Sequence, residues 1–545
     1  MDKRTITALI MMLALYLVFD MLVWRPQREA AMQAGIAQNQ ESSVIADSTA
    51  STQESPMAAT VSNVDSLFQS EQTESKTLSL ENDLLKVQFD TKGALIAALE
   101  LKNFNYDTKS KVNLVPESSS LAGLSVYHGS SSTRLQDIVF DYYEDVPSRS
   151  ITFYLGSKES PSVQKRFILD DQYGIKMEIA IDHMEAISGL RLDFDAGIAD
   201  SEKNTKSKAQ DYRFYLNADN EMEKLTLAKM RKNPPQGSFS SFAWIAVRSK
   251  YFTIAVQEGE PALTRSFSTV VNPETSNPGF SIDSYHTDAK PSWHQSFTLY
   301  AGPADAGILK GYGRQMENIA ERGANWLRWL ANIFAWFLTW LHGYIRNYGV
   351  VLIILALLLK IILHPLTHKS MDASLKMQKI QPQVQAIQKK YKDDPKTMQM
   401  EMSKLYKEAG ANPMSGCLPL LLQMPIFISL YNVLRYSLDM RNAGFALWLK
   451  DLSEPDPYMI LPITMGAFMV LQSLMMQPKK ANLDEMDDKQ KAMQSSQKMM
   501  TWMMPIMMFF IFRNMPAGLV LYWTTFNIFS VIQQYYLMKH YKNKE

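Results

Sequence analysis

After Gly323 the chain becomes a succession of apolar stretches, Tyr348–Leu366, Leu418–Ser437, Tyr458–Gln477, Met499–Phe512 and Ala517–Met538, with lysines crowding alternate gaps between them. A helix needs ~20 mostly apolar residues to cross the hydrocarbon core of a bilayer. Lipid offers backbone groups no hydrogen-bond partner, so such stretches are held to helices. The pattern commits this part of the chain to a membrane helical bundle. Ile6–Trp24, interrupted only by Thr7 and Asp20, adds a sixth stretch. Its length, and the Arg25, Pro26 and Arg28 that follow, favour an uncleaved anchor over a signal peptide.

Lysine placement orients the spans. The gap after the second carries Lys376, Lys379, Lys389, Lys390, Lys392, Lys396, Lys404 and Lys407, and the gap after the fourth carries Lys479, Lys480, Lys489 and Lys491. The opposite gaps hold Arg441 and Lys450 in one and Arg513 in the other. The positive-inside rule then puts both termini in the cytoplasm and residues 26–345 outside. Trp326–Leu341 reads as an amphipathic helix lying flat on the outer surface rather than a seventh span. Its mostly apolar part is short, and Trp326, Trp329, Leu330, Ile333, Phe337, Trp340 and Leu341 recur at helical spacing. The chain divides into an anchor (1–25), a linker (26–76), a soluble domain (77–322), the surface helix (323–345) and the remaining spans (346–368, 417–438, 457–477, 498–513 and 516–538). A cytoplasmic hairpin (369–416) and a tail (539–545) complete it.

Composition excludes several classes. Lys and Arg total 56 against 55 Asp and Glu in 545 residues, which argues against a wholesale nucleic-acid binder. The single cysteine, Cys417, excludes an intramolecular disulfide and Cys-based zinc clusters. Residues 26–76 are rich in Ser, Gln, Ala and Thr and bury too little apolar surface to fold, so they form a tether. From Thr77 the segments alternate: Leu84–Asp90, Ile151–Leu155, Lys165–Leu169, Ile175–Ile181, Leu190–Phe194, Tyr212–Leu216, Phe242–Val256 and Ser296–Tyr300. Many short alternating strands separated by turns such as Asp90–Gly93 and Asp170–Gly174 predict an all-β sandwich. Asp193 and Asp195 share one strand face, where paired carboxylates can do acid–base work, but a solvated strand face explains them better. His128, His183, His286 and His294 show no metal-ligand spacing, and no catalytic motif occurs.

One residue in the membrane portion is expensive. Within Val350–Leu363 every residue is apolar except Lys360, which precedes Pro365 by ~7–8 Å of helix rise. A flexible stem lets lysine snorkel to the interface; a hydrated cavity between helices also accommodates it. His364 and His368 continue the stripe at i+4 and i+8. Gln423, Asn432, Thr524, Thr525, Asn527, Gln533 and Gln534 add polar groups from other spans, yet no Asp or Glu lies within spans two to six. A cation without an internal counter-charge favours surrounding water, open to the cytoplasm. The His pair lacks a third ligand for a metal. Arg435 sits at the outer end of its span, where snorkelling suffices.

Pro425, Pro462 and Pro505 permit kinks, and Met465, Met469, Met475, Met503, Met504, Met507 and Met508 give soft surfaces, for which core filling is the ordinary explanation. The loop Ser370–Gly416 holds two helices, one marked by Met371, Leu375, Gln378 and Pro382 and one from Pro395 toward Ala409. Its charge alone favours a solvated face over a docking surface.

Gln381-Pro382, Asn412-Pro-Met-Ser-Gly-Cys-Leu-Pro419, Gln423-Met-Pro-Ile-Phe427, Phe445-Ala-Leu-Trp448, Asp451-Leu-Ser453, Asp456-Pro-Tyr458 and Pro516-Ala-Gly-Leu-Val-Leu-Tyr522 resemble the YidC family of bacterial membrane protein insertases, relatives of the mitochondrial oxidase-assembly and chloroplast Albino insertases. The match runs in order over Gly343–Tyr541. The anchor, the flat helix and looser matches at Lys165–Leu169, Trp244–Val256 and Leu299–Pro303 resemble the Gram-negative form.

The resemblance implies a six-span inner-membrane protein with five spans forming the insertase core. It also implies a periplasmic β-supersandwich, similar to that of sugar-processing enzymes but without their activity, so the chain is not expected to be an enzyme. The family's groove lies in the inner half of the membrane, open to cytoplasm and lipid and closed outside, and holds one cation, commonly arginine. Lys360 matches that position, keeping the charge but not the planar fork. Expected groove contacts are Lys360, His364, Gln423, Asn432, Thr524 and Asn527. Met424, Phe427, Met469, Met504, Met508, Tyr522 and Trp523 are the expected apolar slide.

Nascent membrane proteins, the ribosome, the Sec translocon and the bilayer are the expected partners, with no cofactor, no metal and no specific nucleic-acid recognition. The short tail ending at Glu545 leaves ribosome contact to the loops. The alternatives are a small-molecule or ion transporter using Lys360 as an anion site, and a membrane-anchored sugar-active enzyme. Transporter-like internal repeats are not found.

Overall fold

The computed structural model describes residues 74–542 apart from 108, 129–130, 183–186, 220, 240–241, 260–263, 274, 321–322, 324, 392–393, 411–417 and 476–501. The expected anchor and almost all of the tether lie outside the described residues, as do Cys417, the lysines of the gap after the fourth span and the start of the 498–513 span. Two compact units meet in sequence between Ala320 and Glu321.

The first unit is antiparallel β-structure in three sheets of four, nine and six strands. Alternation of buried and open residues is what makes its strands, as in Leu85–Asp90, where Leu85, Val87 and Phe89 are fully buried and the intervening residues are not. Each alternating segment read from the sequence lies within or overlaps a strand. Phe242–Val256 is two strands, Phe242–Arg248 and Phe252–Glu258, joined by a turn in which Ser249 N donates to Phe252 O at 2.8 Å.

Register explains the layering. Phe167 pairs with Met177 and Met177 with Phe297, so these residues occupy one face of the nine-stranded sheet. On that face Phe167 lies 4.7 Å from Phe89 of the four-stranded sheet, between ring centroids. Phe214, also of the nine-stranded sheet, stacks on Phe267 of the six-stranded sheet at 5.8 Å. Arg265 from the six-stranded sheet pairs with buried Glu258 and lies over the Phe297 ring. Both smaller sheets therefore cover the same face of the large one.

Lys165 is fully buried in this seam, its ammonium donating to the carbonyls of Ala94 (2.8 Å) and Ala122. Desolvation pushes its pKa down to about 7, partly offset by Asp193. An unfolded chain binds this proton up to the ordinary lysine value of 10.5. Between those limits the unfolded state holds more protons, so stability rises with pH above 7 and is flat below it, where both states are protonated. Denaturant unfolding of residues 77–320 is expected to show a gain of about 3 kcal/mol from pH 7 to about 9.5 relative to Lys165→Met. Parallel pH curves for the two proteins would rule this out.

The second unit is helical. We label its helices α1 (Arg328–His342), α2 (Tyr348–Lys390), α3 (Pro395–Glu408), α4 (Leu418–Tyr436), α5 (Ile460–Met475), α6 (Trp502–Phe512) and α7 (Ala517–Lys542). Among the described residues one helix, α2 over Tyr348–Met377, is long and apolar enough by length and composition alone to cross a membrane; α5 and α6 are apolar but shorter.

The second span and the first loop helix are one continuous helix: α2 runs for 43 residues through Pro365 and Pro382. Each proline removes one backbone bond, and the remaining bonds of the helix on either side carry it across. At 43 residues α2 is about 65 Å long, roughly twice the hydrocarbon thickness. Its far end packs on α3 around Ile380 and Val384, with Met377, Met402, Leu405 and Tyr406.

α1 has two apolar faces rather than the single stripe expected. Ala331, Phe334 and Leu338 are buried, while Trp326, Trp329, Ile333, Trp336, Trp340 and Tyr344 remain open. An indole row at this spacing suits the headgroup layer.

Candidate functional site: a cationic cleft and its closed end

One loop fastens three helices. Asn347 caps α2 by accepting from Val350 N (3.2 Å), and its amide donates to Phe445 O (2.9 Å). Asp456, 4 % exposed, accepts from Trp448 Nε1 (3.0 Å), Tyr458 N (3.0 Å) and Leu461 N (2.7 Å), which caps α5. Ala517 N donates to Glu454 O (2.7 Å) and Gly518 N to Leu452 O (2.9 Å), which ties down α7. Phe445 packs so closely on Gly349 that a Cβ there would collide with its ring. The starts of α2, α5 and α7 are thus gathered under residues 443–458.

Lys360 lies about 18 Å of helix rise beyond Tyr348. It is 8 % exposed; its ammonium donates to Ser530 Oγ of α7 at 2.8 Å and sits 4.8 Å from the centre of the Phe526 ring. No carboxylate pairs with it among the described residues. Beside it a cleft of about 590 Å³ runs between α2 and α7, away from the gathered end. Leu357, Ile361, Phe529 and Ile532 line its apolar part, and His364, His368, Gln533 and Tyr536 its polar part. Gln533 Nε2 donates to His364 Nδ1 at 2.9 Å, tying the two helices at the mouth.

The cleft brings together Lys360 and His364 but not the other expected groove residues. Asn432 bonds its own helix at Ile428 O (2.7 Å) and lies beside Gly323. Thr524 is turned to α5, toward Leu461 O, and also bonds Val520 O. Gln423 and Asn527 line no part of the cleft, and their amide nitrogens, like the Tyr522 hydroxyl, are buried without a protein partner among the described residues, a condition that draws water. Which face each helix turns to its neighbours is set by packing, and that rotation separates these side chains.

The expected slide divides as well. Phe427 and Tyr522 are buried; Phe427 joins Phe512 and Trp523 in a cluster with ring centroids 5.0–5.7 Å apart, a fixed core rather than an adaptable surface. Met504 is exposed, and Met424, Met469, Met508 and Trp523 are half-buried. Arg435 is buried in protein: it is 5 % exposed, with Tyr431 and Tyr436 beside its guanidinium. Ser530 and Phe526 were not singled out by sequence, although Phe526, Ser530 and Gln533 recur at helical spacing on one face of α7.

In the β unit, Asp193 and Asp195 surround Arg191 rather than forming an acid–base pair. Arg191 Nε meets Asp193 Oδ1 at 2.7 Å and its Nη1 meets Asp283 Oδ2 at 3.4 Å, beside a small polar cleft of about 250 Å³. Burial pushes the Asp195 and Asp283 carboxyls up. Among the described residues no three His, Cys, Asp or Glu are grouped to hold a metal.

The family model described as 60Kd inner membrane protein matches residues 340–544, and that described as YidC periplasmic domain matches residues 77–337. A membrane protein insertase YidC of Syntrophus aciditrophicus is 30% identical over 565 residues, covering 99% of this chain and 100% of that one. The chain belongs to the YidC family of membrane protein insertases.

The YidC of Chlorobaculum tepidum is also 30% identical, over 88% of this chain and 85% of its own, and that of Geobacter metallireducens is 37% identical over 58% and 56%. A solved structure described as an active YidC insertase with its first transmembrane domain resolved aligns over 85% of this chain and 93% of its own at 19% identity, with a TM-score of 0.36. Membership in the YidC family makes this an inner-membrane protein with a periplasmic domain, which here is mostly β-sheet. Its clients are nascent membrane proteins and its setting is the bilayer. The transporter alternative gains no support from these matches.

Proposed function

We propose that this YidC family member inserts nascent membrane proteins by offering polar segments a wet, cationic path part-way across the bilayer. The observation that carries the reading is Lys360: buried, beside a cleft, and without a carboxylate among the described residues. A charge at the centre of a lipid-exposed helix costs ~2.5–3.5 kcal/mol or more. A cation facing water attracts an acidic segment and shortens its dry path, while the client's apolar helix leaves into lipid. The gathered loop 443–458 forms the outer seal. No nucleotide chemistry is involved.

In this reading the chain makes six spans with both termini cytoplasmic and residues 26–345 periplasmic, and α1 lies in the outer headgroup layer. The hairpin of α2 and α3 projects into the cytoplasm, where its lysines meet the ribosome; the Sec translocon is a further partner. Lys360 and His364, with Ser530 and Gln533, contact the client's polar segment, and Met504 with Met508 contacts its apolar helix.

Stalled acidic-tailed nascent chains test this. Photocrosslinking probes at Ser530 and Gln533 are expected to capture them at least fivefold better than a probe at Asn432. Equal capture at all three positions would contradict it.

A further inference from the structure

The Lys360 cleft has the chemistry of a lipid site. Its ammonium touches one neutral hydroxyl, Ser530 Oγ at 2.8 Å, which supplies no counter-charge. His364 and His368 follow at four-residue steps, about 6 Å of rise each, so the polar ladder leads from Lys360 toward the mouth. Alongside it runs an apolar wall whose rim is open rather than covered: Ile361 is 64 % exposed and Ile532 46 %. Polar ladder and apolar wall share one cleft of about 590 Å³. A small soluble anion would use the ladder and leave the wall wet; an apolar helix would use the wall and leave the charge bare. An amphiphile with an anionic head satisfies both.

We infer that this cleft is a binding site for an anionic phospholipid, its phosphate between Lys360 and His364 and an acyl chain along Ile361, Phe529 and Ile532. One phosphodiester charge balances one ammonium, so the cation is neutralised at rest. The inference deepens the insertion mechanism and rests on its reading of Lys360 as membrane-embedded. An arriving client carboxylate exchanges with the phosphate, so the ammonium is never bare, and the bilayer supplies the resting occupant.

The test uses the full chain in nanodiscs of phosphatidylcholine containing a minor fraction of phosphatidylglycerol, with retained lipid counted by native mass spectrometry after detergent release. One phosphatidylglycerol per chain is expected, enriched at least tenfold over its share of the disc. Lys360→Gln is expected to abolish the enrichment and Lys360→Arg to keep it. Ile361→Trp, on the open rim, retains the charge but blocks the wall, and is expected to lose the lipid without loss of thermal stability. Glycerol phosphate and inorganic phosphate are expected not to displace it, whereas an acidic peptide is. Enrichment unchanged in Lys360→Gln, or retained in Ile361→Trp, overturns the site. Displacement by inorganic phosphate alone overturns the lipid and leaves a simple anion site. Failure of the insertion mechanism is read separately, from client translocation by the same variants, and does not alter the lipid count.

Discussion

Lys360→Ala should cut insertion of clients with acidic translocated segments by tenfold or more, while Lys360→Arg stays within about twofold. The magnitude follows from the charge. Each acidic residue crossing dry hydrocarbon costs ~2.5–3.5 kcal/mol or more, and a cation that offsets even half of that changes the barrier by ~1.4 kcal/mol, a factor of ten. Alanine removes the attraction, whereas arginine restores charge from a stem of similar length. Clients whose translocated segment is neutral are the internal control and should be little affected. Protease protection of the translocated segment in cells depleted of their own insertase is the readout. Indistinguishable Ala and Arg proteins would remove charge from the mechanism.

The second large effect lies at the gathered end. Asp456→Ala should destabilise the helical unit by about 3 kcal/mol, because one substitution strands the Trp448 indole N–H and uncaps α5 at once. The carboxylate is nearly inaccessible, so water does not replace it readily. Gly349→Val should act in the same direction by forcing Phe445 out of its seat. Exposed Leu447 makes the consequence readable: limited proteolysis of the purified full chain should cut within 443–458 much sooner in Asp456→Ala than in wild type. Asp451→Ala, which loses only the bond from Ser453 N, is the matched control and should stay near wild type. A wild-type cleavage rate in Asp456→Ala would show that the loop is held by other contacts.

Some of this was legible in the sequence and some was not, for identifiable reasons. Strands such as Gly174–Ile181 and Ser160–Leu169 announce themselves because one face is buried and the residues alternate accordingly. Pro278–Lys290 does not, because small and polar residues such as Ser284 also point inward and blur the alternation. A lysine in an otherwise apolar run is a one-residue signal: it singles out Lys360 but leaves open whether the side chain snorkels or faces a cavity. Its partner is not singled out: Ser530 lies 170 residues away, and a serine in a helix draws no attention locally. The resemblance implies Asn432 and Thr524 as groove contacts, but a polar side chain in a span does not say how its helix is rotated.

The gathering of α2, α5 and α7 under a single loop has a mechanical consequence. When helices held together at one end tilt there, displacement grows with distance from the held end. A tilt of roughly five degrees about residues 443–458 moves α2 by about 1.6 Å at Lys360, and α7 by about 2.5 Å at Tyr536, some 28 Å from its start. The resulting gap is a wedge, widest where a client would enter and vanishing at the far side. Such a tilt opens the mouth of the cleft while the gathered end stays shut.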